Sequence, residues 1–192
     1  TLSFDKTQPV GLGPLRMTLT SSEPLASKPI LAFQPEGSPS PIAIPLTVGA
    51  LNTYEGVYNI HPFVPSGQAE FRASARDLAG NSINRKPNGG DLMVDVQAPS
   101  GAVVTAPLGP IQTIDSPTLA VSLTLDETAK AGTPPTLSFQ PPTGAAVAIA
   151  LAGDDTNWTG SLPLTPAMGN GFGEFLLVVR DALDNIGSNI VS

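Results

Sequence analysis

The feature that most constrains the fold is that the chain says nearly the same thing twice. ARDLAGN at residues 75–81 returns as VRDALDN at residues 179–185, an offset of 104 positions. At the same offset Gly67 meets Gly171, Glu70 meets Glu174, Phe71 meets Phe175 and Pro62 meets Pro166. Tyr54-Glu-Gly56 meets Trp158-Thr-Gly160, and LTSSEPL (19–25) meets LTLDETA (123–129). Between these, ILAFQPEG (30–37) meets TLSFQPPTG (136–144) with the offset stretched to 106. Two extra residues are therefore expected near Lys130-Ala131-Gly132, given back before Trp158, at points where loops absorb insertions. An internal repeat of this length marks a folding unit used twice, and 192 residues suit two domains of about 100.

A further echo sets SFDKTQPV at the start against MVDVQAPS (93–100), with Asp5 on Asp95 and Pro9 on Pro99. On this reading residues 1–8 are the tail of a preceding repeat or a lead-in strand. The domains then run 9–96 and 97–192, as a piece of a longer tandem array.

The hydrophobic period within each copy is 2. Leu15, Met17 and Leu19 alternate with Arg16, Thr18 and Thr20, and Val121, Leu123 and Leu125 alternate with Ser122 and Thr124. Phe71, Ala73 and Ala75 alternate with Arg72, Ser74 and Arg76. Such alternation makes strands with one buried face. Twenty-one Pro and 19 Gly interrupt every stretch that might run on as a helix. The predicted strands are 13–20, 29–34, 41–48, 53–60, 68–76, 81–85 and 91–96, then 101–106, 118–125, 135–140, 145–152, 156–163, 172–180 and 185–191. About seven short strands per copy, spaced by turns, predict an all-β chain of two tandem β-sandwich domains.

Composition removes several function classes. The net charge of −7 argues against nucleic acid, which is gripped by Lys and Arg. No apolar run approaches the roughly 18 residues of a membrane span. With no cysteine, disulfides, zinc thiolate sites and cysteine nucleophiles are excluded.

These residues carry a resemblance. Ser-Glu-Pro at 22–24, the Tyr/Trp-x-Gly of each copy, the strand closing in ARDLAGN and the Asp-x-x-x-Pro junction resemble tandem bacterial Ig-like (BIg-type) repeats of cell-surface and secreted proteins. The second copy departs at Asp184, where the first has Gly80, and a different turn is expected there. The resemblance implies immunoglobulin-like domains that space or display other domains outside the cell, with adhesion or junctional calcium binding in some members.

Individual residues give chemistry little support. Asp77 and Asn81 bracket a tight turn, so a hairpin staple is the first reading. A calcium ligand set of Asp77 or Asp181 with Asp95 is the second, but calcium wants six to eight oxygens. Only Asp154-Asp155 comes near an Asp-rich loop, and it equally makes a solvated turn. His61 is the only histidine, so any Ser-His-Asp scheme must use it; it stands at a strand end, where the second copy has Thr165. Glu70 and Glu174 are candidate carboxylates, yet they repeat with the fold. Trp158 offers a sugar-stacking face or a core position shared with Tyr54. Leu176 and Val178 take the face held by Arg72 and Ser74, making an apolar contact surface unless something covers it.

The expectation is a non-catalytic structural or spacer segment of a bacterial cell-surface or secreted protein, with no catalytic, cofactor or metal residues assigned. Its partners are neighbouring repeats. The alternative is an adhesion or carbohydrate- or protein-binding module acting through the second domain. The short junction Val94-Asp95-Val96-Gln97-Ala98-Pro99, stiffened by proline, leads to the further expectation that the domains stand end to end.

Overall fold

The computed structural model describes residues 1–111 and 118–191. Every regular element among them is a β-strand, apart from one 3-10 turn at Pro166–Met168. No helix among the described residues is long and apolar enough to cross a membrane. The chain divides into two compact units, Thr1–Gln97 and Ala98–Ser192.

The first unit contains β1 (Leu2–Phe4), β2 (Gly13–Thr20), β3 (Ile30–Gln34), β4 (Ile42–Ile44), β5 (Leu46–Val48), β6 (Thr53–Ile60), β7 (Gly67–Arg76), β8 (Ser82–Arg85) and β9 (Asp91–Val94). One sheet has the order β1-β2-β6-β5; the other has β4-β3-β7-β8, with β9 also on β7. The alternation works as expected. Leu15, Met17 and Leu19 of β2 and Phe33 and Phe71 of the other sheet are buried in one core, while Arg16 and Arg72 face out. Phe33 and Phe71 are both 0% exposed, with ring centroids 5.0 Å apart.

The second unit contains β10 (Ser100–Ala106), β11 (Thr118–Leu125), β12 (Thr136–Gln140), β13 (Val147–Ile149), β14 (Leu151–Asp154), β15 (Asn157–Pro163), β16 (Glu174–Arg180), β17 (Ile186–Gly187) and β18 (Asn189–Val191). Its sheets have the orders β14-β15-β11-β10-β18 and β13-β12-β16-β17. Its core is built on Leu119, Val121, Leu123, Leu137, Leu162, Leu177 and Val179.

The repeat holds at the level of cross-strand partners. Leu19 faces Tyr54 and Leu123 faces Trp158. Phe33 faces Phe71 and Phe139 faces Phe175. Tyr54 is buried and Trp158 is part-buried against its core, so the two occupy one position in the fold. The two inserted residues fall in the loop between β11 and β12, which turns at Thr133 N–H donating to the Lys130 carbonyl (2.9 Å).

One expectation needs correction. The predicted single strands 41–48 and 145–152 each split in two and change sheets. β4 pairs with β3 while β5 pairs with β6, and β13 pairs with β12 while β14 pairs with β15. Pro45 stands at the first break and has no N–H to give to a ladder; Ala150 stands at the second. The start of the chain pairs as a strand beside the first unit. β1 pairs with β2, bringing Leu2 opposite Leu19, and β10 pairs with β11, bringing Val103 opposite Leu123. Residues 1–8 thus open with a strand of the first unit, in the place β10 holds in the second.

The crossing segments explain the Tyr/Trp-x-Gly motif. A Cβ on Gly56 would lie 2.9 Å from Ile44 Cγ2 and 3.0 Å from Leu46 Cδ2. A Cβ on Gly160 would lie 2.7 Å from Ile149 Cγ2 and 3.2 Å from Leu151 Cδ2. Each glycine makes room for the two apolar residues that flank the change of sheet.

Candidate interaction surfaces

The repeated Asp and Asn form the same closure in both copies. Asn81 N–H donates to Asp77 Oδ1 (2.8 Å) and Asn81 Nδ2 donates to Asp77 Oδ2 (2.7 Å). Asn185 does the same to Asp181 at 2.8 and 2.7 Å, and Leu183 N–H adds a bond to Asp181 Oδ1 at 2.8 Å. The strand before each turn is tied sideways as well: Ala26 N–H donates to the Arg76 carbonyl (2.8 Å), and Lys130 N–H to that of Arg180 (2.7 Å). The Asn81 side chain and the turn's N–H groups hold the Asp77 carboxyl below the ordinary aspartate value of 3.8. In both copies the carboxylate accepts from its own turn, which supports the staple reading.

The departure at Asp184 does not change the turn. Gly80 N–H donates to the Asp77 carbonyl and Asp184 N–H to the Asp181 carbonyl, both at 3.2 Å. Gly80 has φ +92° and Asp184 φ +68°. Aspartate is one of the few residues that visits this left-handed region. Lys130 Nζ lies 2.6 Å from its carboxylate and lowers its pKa by hydrogen bonding and charge.

The other singled-out residues are also placed by the fold. Asp154 ends β14 and Asp155 takes φ +48° at the exposed hairpin tip, where its carbonyl accepts from Trp158 Nε1 (3.3 Å). Trp158 is part-buried against the core of its unit. Glu70 faces Gln34 and pairs with Arg72 (3.0 Å), and Glu174 faces Gln140. Asp95 accepts from Gln97 N–H (3.1 Å). Asp126 accepts from Ser100 N–H and Oγ, both 2.7 Å, fastening the start of β10. Burial opposes its charge, but those bonds outweigh it and its pKa is lowered.

Two surfaces remain. Leu176 and Val178 are 47% and 50% exposed, on the outer face of β16. Ile186, opposite Arg180 on β17, is 53% exposed on the same face. The neighbours across β12 are Ser138 and Thr136, so the stripe is bordered by small polar groups. The expected apolar patch is therefore real and uncovered within its unit.

The second surface was not anticipated from sequence. His61, just past β6, stands between Tyr58 (ring centroids 6.3 Å) and Phe63 (6.0 Å), and Tyr58 packs tilted against Phe33 at 4.9 Å. Phe63 is 90% exposed. Pro35, Pro39, Pro65, Tyr58, His61 and Phe63 line a shallow hollow of about 470 Å³. Burial raises the Tyr58 pKa. The only available signal was the spacing Tyr58-x-x-His61-x-Phe63, which matches no strand or helix period.

No family model and no curated protein matches the chain. Among solved structures, a tetra-tandem repeat in the extending region of a large adhesion protein is similar over 98% of this chain and 46% of that one, with 18% identity and a TM-score of 0.41. A DUF4785 family protein from Legionella pneumophila is similar over 97% of this chain and 53% of that one, with 13% identity and a TM-score of 0.42. The chain thus spans about half the length of the solved chains it matches.

Proposed function

We propose that the chain is a non-catalytic structural segment, two Ig-like β-sandwich domains of the bacterial repeat type that space or present other domains of a larger cell-surface or secreted protein. One observation carries the reading. The residues that stand out in the sequence, Asp77/Asp181, Asn81/Asn185, Tyr54/Trp158 and Gly56/Gly160, make the same contacts in both units. A residue that repeats its contacts with the fold serves the fold. Two sheets, antiparallel apart from the parallel β10–β18 pair, facing one shared core in each unit support the sandwich assignment.

A spacer made of separately folded units resists stretching one unit at a time. Pulling the chain from its ends should therefore give two discrete unfolding events, each releasing about 300 Å of chain for some 95 residues at 3.3–3.6 Å apiece. Gradual extension without discrete events would defeat the proposal.

The Leu176–Val178–Ile186 face supports a second reading, a binding module acting through the second unit. A glycan array and a pull-down with the 192-residue chain separate the two. Saturable binding lost in Leu176→Arg/Val178→Ser, with the fold intact, would favour the module.

A further inference from the structure

We propose that the first unit binds a small organic cation of the quaternary-ammonium class in the hollow between its 35–41 and 61–65 loops, with Tyr58, His61 and Phe63 as walls and the Glu36 carboxylate as counter-charge. What singles out this set is that it does not repeat. Tyr58, His61 and Phe63 become Leu162, Thr165 and Ala167 at the 104 offset, and Glu36 becomes Pro142 at the 106 offset of its segment. The glycine beside it is kept: a Cβ on Gly67 would meet Glu36, and one on Gly171 would meet Pro142. One scaffold thus carries three rings and a carboxylate in the first unit and none of them at the matching positions of the second. Side chains that the fold needs recur in both copies, as the Asp–Asn staple does. These four serve something that only the first unit does.

Both loops hold these groups in fixed positions. Val64 N–H donates to the His61 carbonyl (3.0 Å), closing a turn with Pro62 and Phe63 at its centre; proline suits the first central position of such a turn. Ile60 and Val64 anchor its two sides in the core, which leaves Phe63 exposed at the tip. Tyr58 packs against the fully buried Phe33. Its ring is inclined 54° to that of His61, and that of His61 57° to that of Phe63, so the three present angled faces rather than a stack. On the other side Ser38 N–H donates to the Pro35 carbonyl (3.2 Å), with Glu36 and Gly37 at the centre of that turn and Gly37 at φ +65°. Glu36 reaches over Gly67, where its Oε2 accepts from Gln68 N–H at 2.6 Å. The carboxylate is thereby fixed at the hollow before any ligand arrives, and preorganisation of this kind lowers the cost of binding.

Charge narrows the chemistry. Among the described residues that line the hollow, Glu36 is the one carboxylate and no Lys or Arg stands with it. Aromatic faces carry negative potential, and a cation within about 6 Å of a ring centroid is drawn to them. A primary ammonium brings N–H groups that must be satisfied once out of water. A quaternary one brings none, and its methyl shell suits the apolar rings of Pro35, Pro39 and Pro65. The fitting ligand also carries no phosphate, since nothing in the lining offsets an anion beside Glu36.

The test titrates choline chloride into the intact 192-residue chain and follows the aromatic NMR shifts, in buffer well above the ordinary histidine range. The rings of Tyr58, His61 and Phe63 should shift together and saturate. Phe63→Leu keeps an apolar side chain on an exposed turn and removes one ring; binding should weaken about two- to fivefold. Glu36→Gln keeps an acceptor for Gln68 N–H and removes the charge, with a loss of about two- to fivefold. The neutral isostere 3,3-dimethylbutan-1-ol should bind about tenfold more weakly than choline, and phosphocholine more weakly than choline as well. Absence of saturation overturns the proposal. So do equal binding of the neutral isostere, unchanged affinity in both variants, shifts confined to the rings of the second unit, or a methyl pyranoside that saturates the same three rings more tightly than choline.

Discussion

Asn185 Nδ2 donates to Asp181 Oδ2 at 2.7 Å, and this pair is buried, at 4% and 3% exposure, whereas the matching Asn81–Asp77 bond of equal length lies nearer solvent. One staple is thus used in two environments. Truncating a buried acceptor strands its donors, a cost water largely repays at the surface. Asp181→Ala should therefore cost about 2–4 kcal/mol, and Asp77→Ala clearly less. Urea unfolding of the two variants compares them; equal losses would show that burial does not set the strength of the staple.

Gly160 and Gly56 receive the crossing segments at under 3 Å from a built Cβ. Alanine at either place forces Ile149 or Ile44 off its seat. Each substitution should cost about 1–3 kcal/mol, the usual range for overpacking, and Trp158 fluorescence should follow the loss in Gly160→Ala. A neutral result at both sites would contradict the account of the motif.

Gly80 at φ +92° and Asp184 at φ +68° fill one turn position. Gly80→Ala should destabilise by about 1–2 kcal/mol, since alanine is strained there. Asp184→Gly should leave the turn intact, because glycine relieves strain while an exposed ion pair with Lys130 contributes little. Thermal melts of both variants decide it.

Phe71 is fully buried and Phe175 is not. Phe71→Ala should lose about 3–5 kcal/mol, and Phe175→Ala distinctly less, as measured by denaturant midpoints.

Asp77, Asp126 and Asp184 all have depressed pKa values in the folded chain. For such groups the unfolded state binds more protons between the folded and unfolded pKa, so stability rises with pH in that window. Their contribution should be complete above about pH 4–5 and fall away on further acidification through the folded values. Carboxyl NMR titration should find these three below the ordinary 3.8. Unfolding midpoints that improve between pH 4 and pH 2 would reverse the sign.

The strands, the 104-residue repeat and the Asp–Asn staple were legible in the sequence because each depends on local chemistry. Period-2 alternation exposes one face whatever the partner strand, and an Asp four residues before an Asn closes a turn from within it. Tertiary structure alone decided where a strand changes sheets. Residues 41–48 carry one continuous extended signal, and only the competing edges of β3 and β6 divide it at Pro45. It also decided that Leu2–Phe4 belongs beside β2, since Asp5 and Pro9 resemble Asp95 and Pro99 in letters yet meet different neighbours: Asp5 Oδ1 takes Arg16 N–H, Asp95 Oδ1 takes Gln97 N–H. The Tyr58–His61–Phe63 cluster was hidden for the same reason. It depends on which strands and loops come to lie beside it, and packing between distant segments leaves no period in a sequence.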